Sequence, residues 1–299
     1  MKRGDDLEDD FVLDDIVAVS EDEDDESSEG HDPMSAQSEE VEATSSSAQI
    51  TSEKTEKKRK RREKEREKFK EKKKRKLEAN VNERESERSI TEQPPHALQE
   101  YLAARQSKTF SSKMSAIELE DIQIPAESIA DTSIWTGPRT LDNLVDFIVK
   151  VLPTLRVRLS QRSKSTGAPT LLFVAGAALR VVDVTRVLKD NKLRGDKGGE
   201  VAKLFAKHFK LAEHVTYLKR TKVGSAVGTP GRIGKLLCET DALTVSALSH
   251  IILDVSFRDS KKRTILDIPE TRDEVFKTVL GAPKVLQAIK DGKIQVVLF

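Results

Sequence analysis

Between Val223 and Val255 the chain reads strand, turn, helix, strand, and that order admits few folds other than a parallel α/β sheet. A short apolar run, Val223 to Val227, leads into Gly228-Thr229-Pro230-Gly231-Arg232. A helical stretch follows, and a second buried run, His250 to Val255, carries Asp254. Sheets of this kind bind ligands at the carboxyl ends of their strands, where this turn falls. Pro230 suits a first helical turn, because its φ is already helical and it has no N–H to leave unpaired. The N–H groups of Gly231, Arg232 and Ile233, beside the Arg232 guanidinium, can then hold a phosphate. The other reading is a turn that the fold needs, with Gly231 there for close packing and Arg232 paired to a local carboxylate.

The rest of the carboxyl-terminal half fits the same architecture. Leu141, Leu144, Val145, Ile148, Val149 and Leu152 form a helical stripe that ends at Pro153. Leu171 to Ala175 is apolar without interruption, which predicts a strand buried on both faces. Leu179, Val182, Val187 and Leu188 predict the next helix, and Lys192 to Glu200 a Gly/Lys loop. Leu204, Phe205, Phe209, Val215 and Leu218 predict one or two further helices. After Asp254 come a basic loop, Arg258 to Arg263, a helix from Glu270 to about Lys290 broken near Gly281-Ala282-Pro283, and a last strand, Ile294 to Phe299. The expectation is a three-layer α/β sandwich with four strands in a mostly parallel sheet, over residues 136–299.

What precedes this domain is different in kind. With 36% hydrophobic and 34% charged residues among 299, the chain is too polar to be globular throughout. The net charge of +1 conceals a segregation, acidic first and basic second. Residues 1–53 are acidic and Ser-rich, with a small apolar island at Phe11-Val12-Leu13, and are expected to be disordered. Ser20, Ser27, Ser28 and Ser38 precede acidic residues, the context of acidophilic kinases; an inert solubilising tail explains them equally well. Residues 54–92 hold two basic clusters, Lys57-Lys58-Arg59-Lys60-Arg61-Arg62 and Lys72-Lys73-Lys74-Arg75-Lys76, with glutamates between them at helical offsets. Such clusters suit nuclear import or phosphate contact, and counterion release would make an RNA affinity salt-sensitive and blind to sequence. Phe69 alone supplies no stacking platform. Residues 93–135 form an arm with apolar positions Leu98, Tyr101, Leu102 and Trp135, placed to pack on the domain or on a partner.

The lone Cys238 excludes a disulfide framework and, between apolar neighbours, is expected to be a buried thiol. No apolar run approaches membrane-spanning length. His31, His96, His208, His214 and His250 are scattered without cysteine or carboxylate at ligand spacing, so no metal site is expected.

The residues GTPGRIGKLL followed by ALTVSALSHIILD resemble the stretch joining motif Ib to motif II in the first RecA-like lobe of DEAD-box RNA helicases. The resemblance implies a RecA-like sandwich in which Thr229, Gly231 and Arg232 touch an RNA backbone. After Asp254 the chain reads Val255-Ser256-Phe257, so only the first aspartate of the helicase motif remains. A nucleotide site would also need G-x-x-x-x-G-K-[ST], and Thr136 to Thr140, Ser165 to Gly167 and Gly228 to Lys235 all fail that pattern. No carboxylate stands beside Asp254 to orient an attacking water. The helicase Pro-Thr-Arg-Glu is represented by Gly176-Ala177-Ala178-Leu179, with Arg180 nearby, and Gln295 to Phe299 stands where helicases continue into a second lobe. With the acidic-then-basic tail, these departures resemble the Cms family of fungal and animal proteins associated with small-subunit assembly. The missing motifs lead to the expectation of a non-catalytic factor without cofactor, and the Cms resemblance implies a place in the nucleus and nucleolus, with pre-ribosomal RNA and proteins of the small-subunit processome as partners. An ATP-dependent remodelling enzyme and a protein-only nuclear scaffold are the alternatives.

Overall fold

The computed structural model describes residue 68, residues 90–110 and residues 113–299. The expectations for the acidic tail and for both basic clusters lie outside the described residues.

Five parallel strands form one sheet in the order β2-β3-β1-β4-β5: β1 Leu171–Val174, β2 Glu200–Leu204, β3 Val223–Gly228, β4 His250–Leu253 and β5 Gln295–Leu298. β1 is central, with Leu171 level with Ser225 on one side and His250 on the other. Alternation sends Leu172, Val174, Ala226, Ile251 and Leu253 to one face and Leu171, Phe173, Val227, Ile252 and Val297 to the other. Both faces are buried, which is why these strands read as continuous apolar runs.

The helices, in chain order, are α1 Pro95–Phe110, α2 Ala116–Asp121, α3 Leu144–Val151, α4 Pro153–Leu159, α5 Ala178–Leu188, α6 Asn191–Arg194, α7 Leu211–Arg220, α8 Pro230–Cys238, α9 Pro269–Glu274 and α10 Pro283–Lys290. A π-helical turn, Val275–Val279, continues α9. Leu144, Phe147 and Ile148 of α3, Leu155 and Leu159 of α4 and Val181, Val184 and Leu188 of α5 cover one face. Ile233 and Leu236 of α8, Val285 and Ile289 of α10 and Leu98 and Leu102 of α1 cover the other. The result is the expected three-layer sandwich with a parallel sheet.

Two expectations need correction. The sheet has a fifth strand, β2, over residues expected to end a loop and begin a helix. Its apolar signal is only Val201, Ala202 and Leu204, too short to declare a period. Its pairing with β3, Ala202 level with Ala226 and Leu204 with Gly228, makes it a strand, and Gly199 just before it lies against the backbone of Gly224, where any Cβ would collide. Cys238 is exposed, because it falls off the Ile233/Leu236 stripe of α8. Its thiol pKa is raised by partial burial and by Glu239, so it is not an activated nucleophile.

The arm packs on the sheet domain. Ile129 forms a parallel bridge with Val296, and Ala130 donates its N–H to the Val296 carbonyl (2.9 Å), so the arm covers the β5 edge. Ser115 and Glu118 cap α2 reciprocally, Arg105 pairs with Asp267 (2.7 Å), and Ser128 donates to the Ile289 carbonyl (2.6 Å). Arg139 closes this side. Its guanidinium donates to the carbonyls of Leu298 (3.0 Å) and Thr91 (2.7 Å) and lies 5.1 Å from the Phe147 ring centroid. Burial lowers its pKa to about 10, which leaves it charged at neutral pH.

Candidate functional site: the carboxyl edge of the sheet

The connections leaving β1, β3 and β4 meet at the carboxyl edge, the side on which open α/β sheets take ligands. They bring together Ala178 to Arg180, Thr229 to Arg232 and Asp254 to Phe257.

Asp254 follows β4 and is fully buried. Its carboxylate is saturated from within the chain. Arg180, from the first turn of α5, donates Nε to Oδ2 at 2.7 Å and Nη2 to Oδ1 at 3.3 Å. The Ser256 hydroxyl donates to Oδ1 at 2.7 Å, and the Phe257 N–H reaches the same oxygen at 3.2 Å. Arg180 also donates to the Ser256 hydroxyl (2.9 Å) and stands over the Phe257 ring, 5.5 Å from its centroid. A carboxylate accepting this many charge-assisted bonds anchors the loop that follows it. Coordinating a metal through it would first require breaking the Arg180 pair.

Thr229 is the extended residue before α8, and Pro230 takes the first helical position as its chemistry dictates. The turn is tied to β2, the Thr229 N–H donating to the Leu204 carbonyl at 3.0 Å. Arg232, however, is buried, with 8% of its surface exposed. Its Nη2 donates to the Phe209 carbonyl at 2.7 Å, and its Nη1 lies 3.4 Å from His214 Nδ1. Burial lowers the Arg232 pKa, and Glu213 opposes that shift. The guanidinium thus ties the α8 turn to the segment ahead of α7 instead of standing free beside the helix end. Burial and the Arg232 charge together push His214 down to about 4.

A carboxylate already stands at the start of α8. Glu274, the last residue of α9, lies against Gly231, where a Cβ would collide with its carboxyl group. Partial burial raises its pKa, while the Gly231 amide and Lys235 hold the charged form. A negative group at a helix N-terminus is favourable whether it arrives in a ligand or comes from the chain. Of the sequence-derived candidates, Thr229, Gly231 and Arg232 do lie together at this edge. Sequence reasoning missed Arg180 as the partner of Asp254 and Glu274 as the neighbour of Gly231; neither partner is near in sequence.

Protein CMS1 of Chaetomium thermophilum is 41% identical over 179 residues, covering 60% of this chain and 69% of the relative. Protein cms1 of Schizosaccharomyces pombe is 36% identical, with 64% of this chain and 65% of the relative covered, and Homo sapiens CMSS1 is 32% identical, with 69% and 70% covered. Among solved structures, a DEAD box protein from Methanococcus jannaschii aligns with TM-score 0.34 and 17% identity over 55% of this chain and 37% of its own. The yeast DEAD-box splicing factor Prp28 aligns with TM-score 0.37 and 19% identity over 57% of this chain and 35% of its own. The model of the CMS1 family, described as a U3-containing 90S pre-ribosomal complex subunit, matches residues 40–299, and the chain belongs to that family.

Proposed function

We propose that the chain is a non-catalytic factor of small-subunit ribosome assembly, in which the sheet domain is a docking surface and the basic segment supplies phosphate contacts. The observation that carries this reading is the sealed Asp254: the one acidic group kept from the helicase motif is fully buried and spent on Arg180, Ser256 and Phe257. The family description as a 90S pre-ribosomal complex subunit supports the same setting. On this reading the chain works in the nucleolus with pre-ribosomal RNA and small-subunit processome proteins. Residues 1–53 act as an acidic tail, 54–92 as the basic segment, 93–135 as the docking arm and 136–299 as the sheet domain.

Purified full chain should show no ATP turnover stimulated by RNA. RNA-stimulated turnover lost on Asp254→Asn would replace this proposal with an ATP-dependent remodelling enzyme. In cells, the tagged chain should crosslink to pre-ribosomal RNA. Deleting residues 54–76 should lower its RNA affinity in vitro and flatten the salt dependence by several units of log-log slope, on the order of ten cationic contacts being removed. A salt slope equal to that of the full chain would put the RNA contacts elsewhere, and no crosslink at all would leave a protein-only scaffold.

A further inference from the structure

The loop after β4, Arg258 to Arg263, reads RDSKKR and has no part in the site described above. It is built to be rigid. Val255 and Ser256 each donate an N–H to the Phe299 carbonyl at 2.9 Å, which pins its start. Thr264 donates both N–H (3.0 Å) and hydroxyl (2.7 Å) to Asp267, which pins its end. In between, Asp259 organises the turn. Its Oδ1 accepts the Arg263 N–H at 2.8 Å, and its Oδ2 accepts Arg263 Nε and Nη2 at 2.9 and 2.8 Å. The Lys262 N–H returns to the Asp259 carbonyl at 2.8 Å, with Lys262 at φ 62°, and Arg258 donates to the Lys262 carbonyl at 2.9 Å. A non-glycine residue in the left-handed region costs free energy, and here the surrounding bonds over-determine it.

The loop holds four cations and one anion, and Asp259 neutralises Arg263. Lys261 and Lys262 are exposed at the tip beside Ser260, and their ammonium groups meet no ion-pair partner among the described residues. The Thr229–Arg232 turn, which leaves β3 at the same edge of the sheet, is in the opposite condition, since Arg232 is buried and Glu274 lies against the start of α8. The free positive charge at this end of β4 therefore lies in the loop rather than at the Thr229–Arg232 turn.

We propose that Lys261 and Lys262 on this preformed loop engage the phosphodiester backbone of RNA. The inference deepens the RNA-binding part of the proposed function and rests on it. Two observations favour a nucleic acid over a protein partner. The six residues include no apolar side chain to form the buried centre that a protein interface needs. The held backbone places two adjacent lysines whose charges can reach phosphates, so only their side chains, and not the loop, need ordering on binding.

The test uses the full chain and a fluorescent single-stranded oligouridylate. The Lys261→Gln/Lys262→Gln variant should bind roughly tenfold more weakly at about 0.1 M salt, with the log-log salt slope reduced by about 1.4, two contacts at about 0.7 each. A charge-matched control, Lys219→Gln/Lys222→Gln, removes two exposed lysines near the start of β3 at the other end of the sheet. It should leave the slope within error of the parent. An unchanged slope in the loop variant, or equal losses in both variants, overturns the assignment, the second outcome meaning that only net charge matters. If the parent chain binds no oligouridylate, the RNA-binding reading falls as well, which is a different result from a parent that binds and a loop that does not matter.

Discussion

Replacing Arg180 by methionine should destabilise the protein by about 3–5 kcal/mol, the usual cost of leaving a buried charge without its partner. Asp254 has no exposed surface and the Arg180 side chain only 13%, so water cannot take the place of the lost guanidinium. The Ser256 hydroxyl would still donate at 2.7 Å, but a neutral donor offsets only part of a buried carboxylate's desolvation. The double variant Arg180→Met/Asp254→Asn should regain most of the loss, because it removes the orphaned charge and keeps a side chain of the same shape. Urea unfolding of parent, single and double variants closes the cycle, with a coupling energy of about 2 kcal/mol or more expected. A single variant that loses less than about 1 kcal/mol would mean that water reaches Asp254, and the sealed-site basis of the non-catalytic proposal would go with it.

How far the sequence reveals this arrangement depends on whether the determinant is local. Leu171–Val174, Val223–Gly228 and His250–Leu253 are strands whose neighbours on both faces are helices, so their apolar runs announce them. β2 lies at the sheet edge with Glu200 exposed and Lys203 half-exposed, and its partner β3 begins 19 residues after β2 ends, so its pairing is not visible locally. The break of the last long helix at Pro283 is visible from proline chemistry. The π-helical turn Val275–Val279 is not visible, since no residue type there demands it. At the carboxyl edge, Thr229-Pro230-Gly231-Arg232 is legible as strand-to-helix grammar, including Pro230 at the first helical position. The direction of the Arg232 side chain is not, because it depends on the Phe209 carbonyl and on His214, which lie 23 and 18 residues away. The Arg180–Asp254 pair spans 74 residues and joins neighbouring strands that only the topology brings together. A lone aspartate at a strand end with an arginine opening the next helix of the adjacent strand is the pattern that could have suggested it.

The buried histidines give the second large effect, and its sign follows from the direction of their shifts. His214 and His250 both have pKa values pushed down to about 4 in the folded chain, against 6.5 for an ordinary histidine. Burial is the first cause for both; Arg232 adds to it at His214, with Glu213 opposing, and Arg158 adds to it at His250, with Gln295 opposing. Between pH 6.5 and 4 the unfolded chain therefore binds protons that the folded chain refuses. Stability from this source is complete above about pH 6.5 and is lost as pH falls towards 4, on the order of 3 kcal/mol for each histidine by linkage. The lowered carboxyl groups, such as Asp259 and Asp273, act only below the ordinary carboxylate range, so they do not contribute to the upper part of this window. Glu274, with a raised pKa, works in the opposite direction near the bottom of it. Urea midpoints at pH 7.5, 6 and 5 should fall steadily, and His214→Gln with His250→Gln should flatten the profile between pH 6.5 and 5. Equal midpoints at pH 7.5 and 5 in the parent chain would show that neither ring is held neutral by the fold, and with that the packing of Arg232 against His214 would lose its electrostatic consequence.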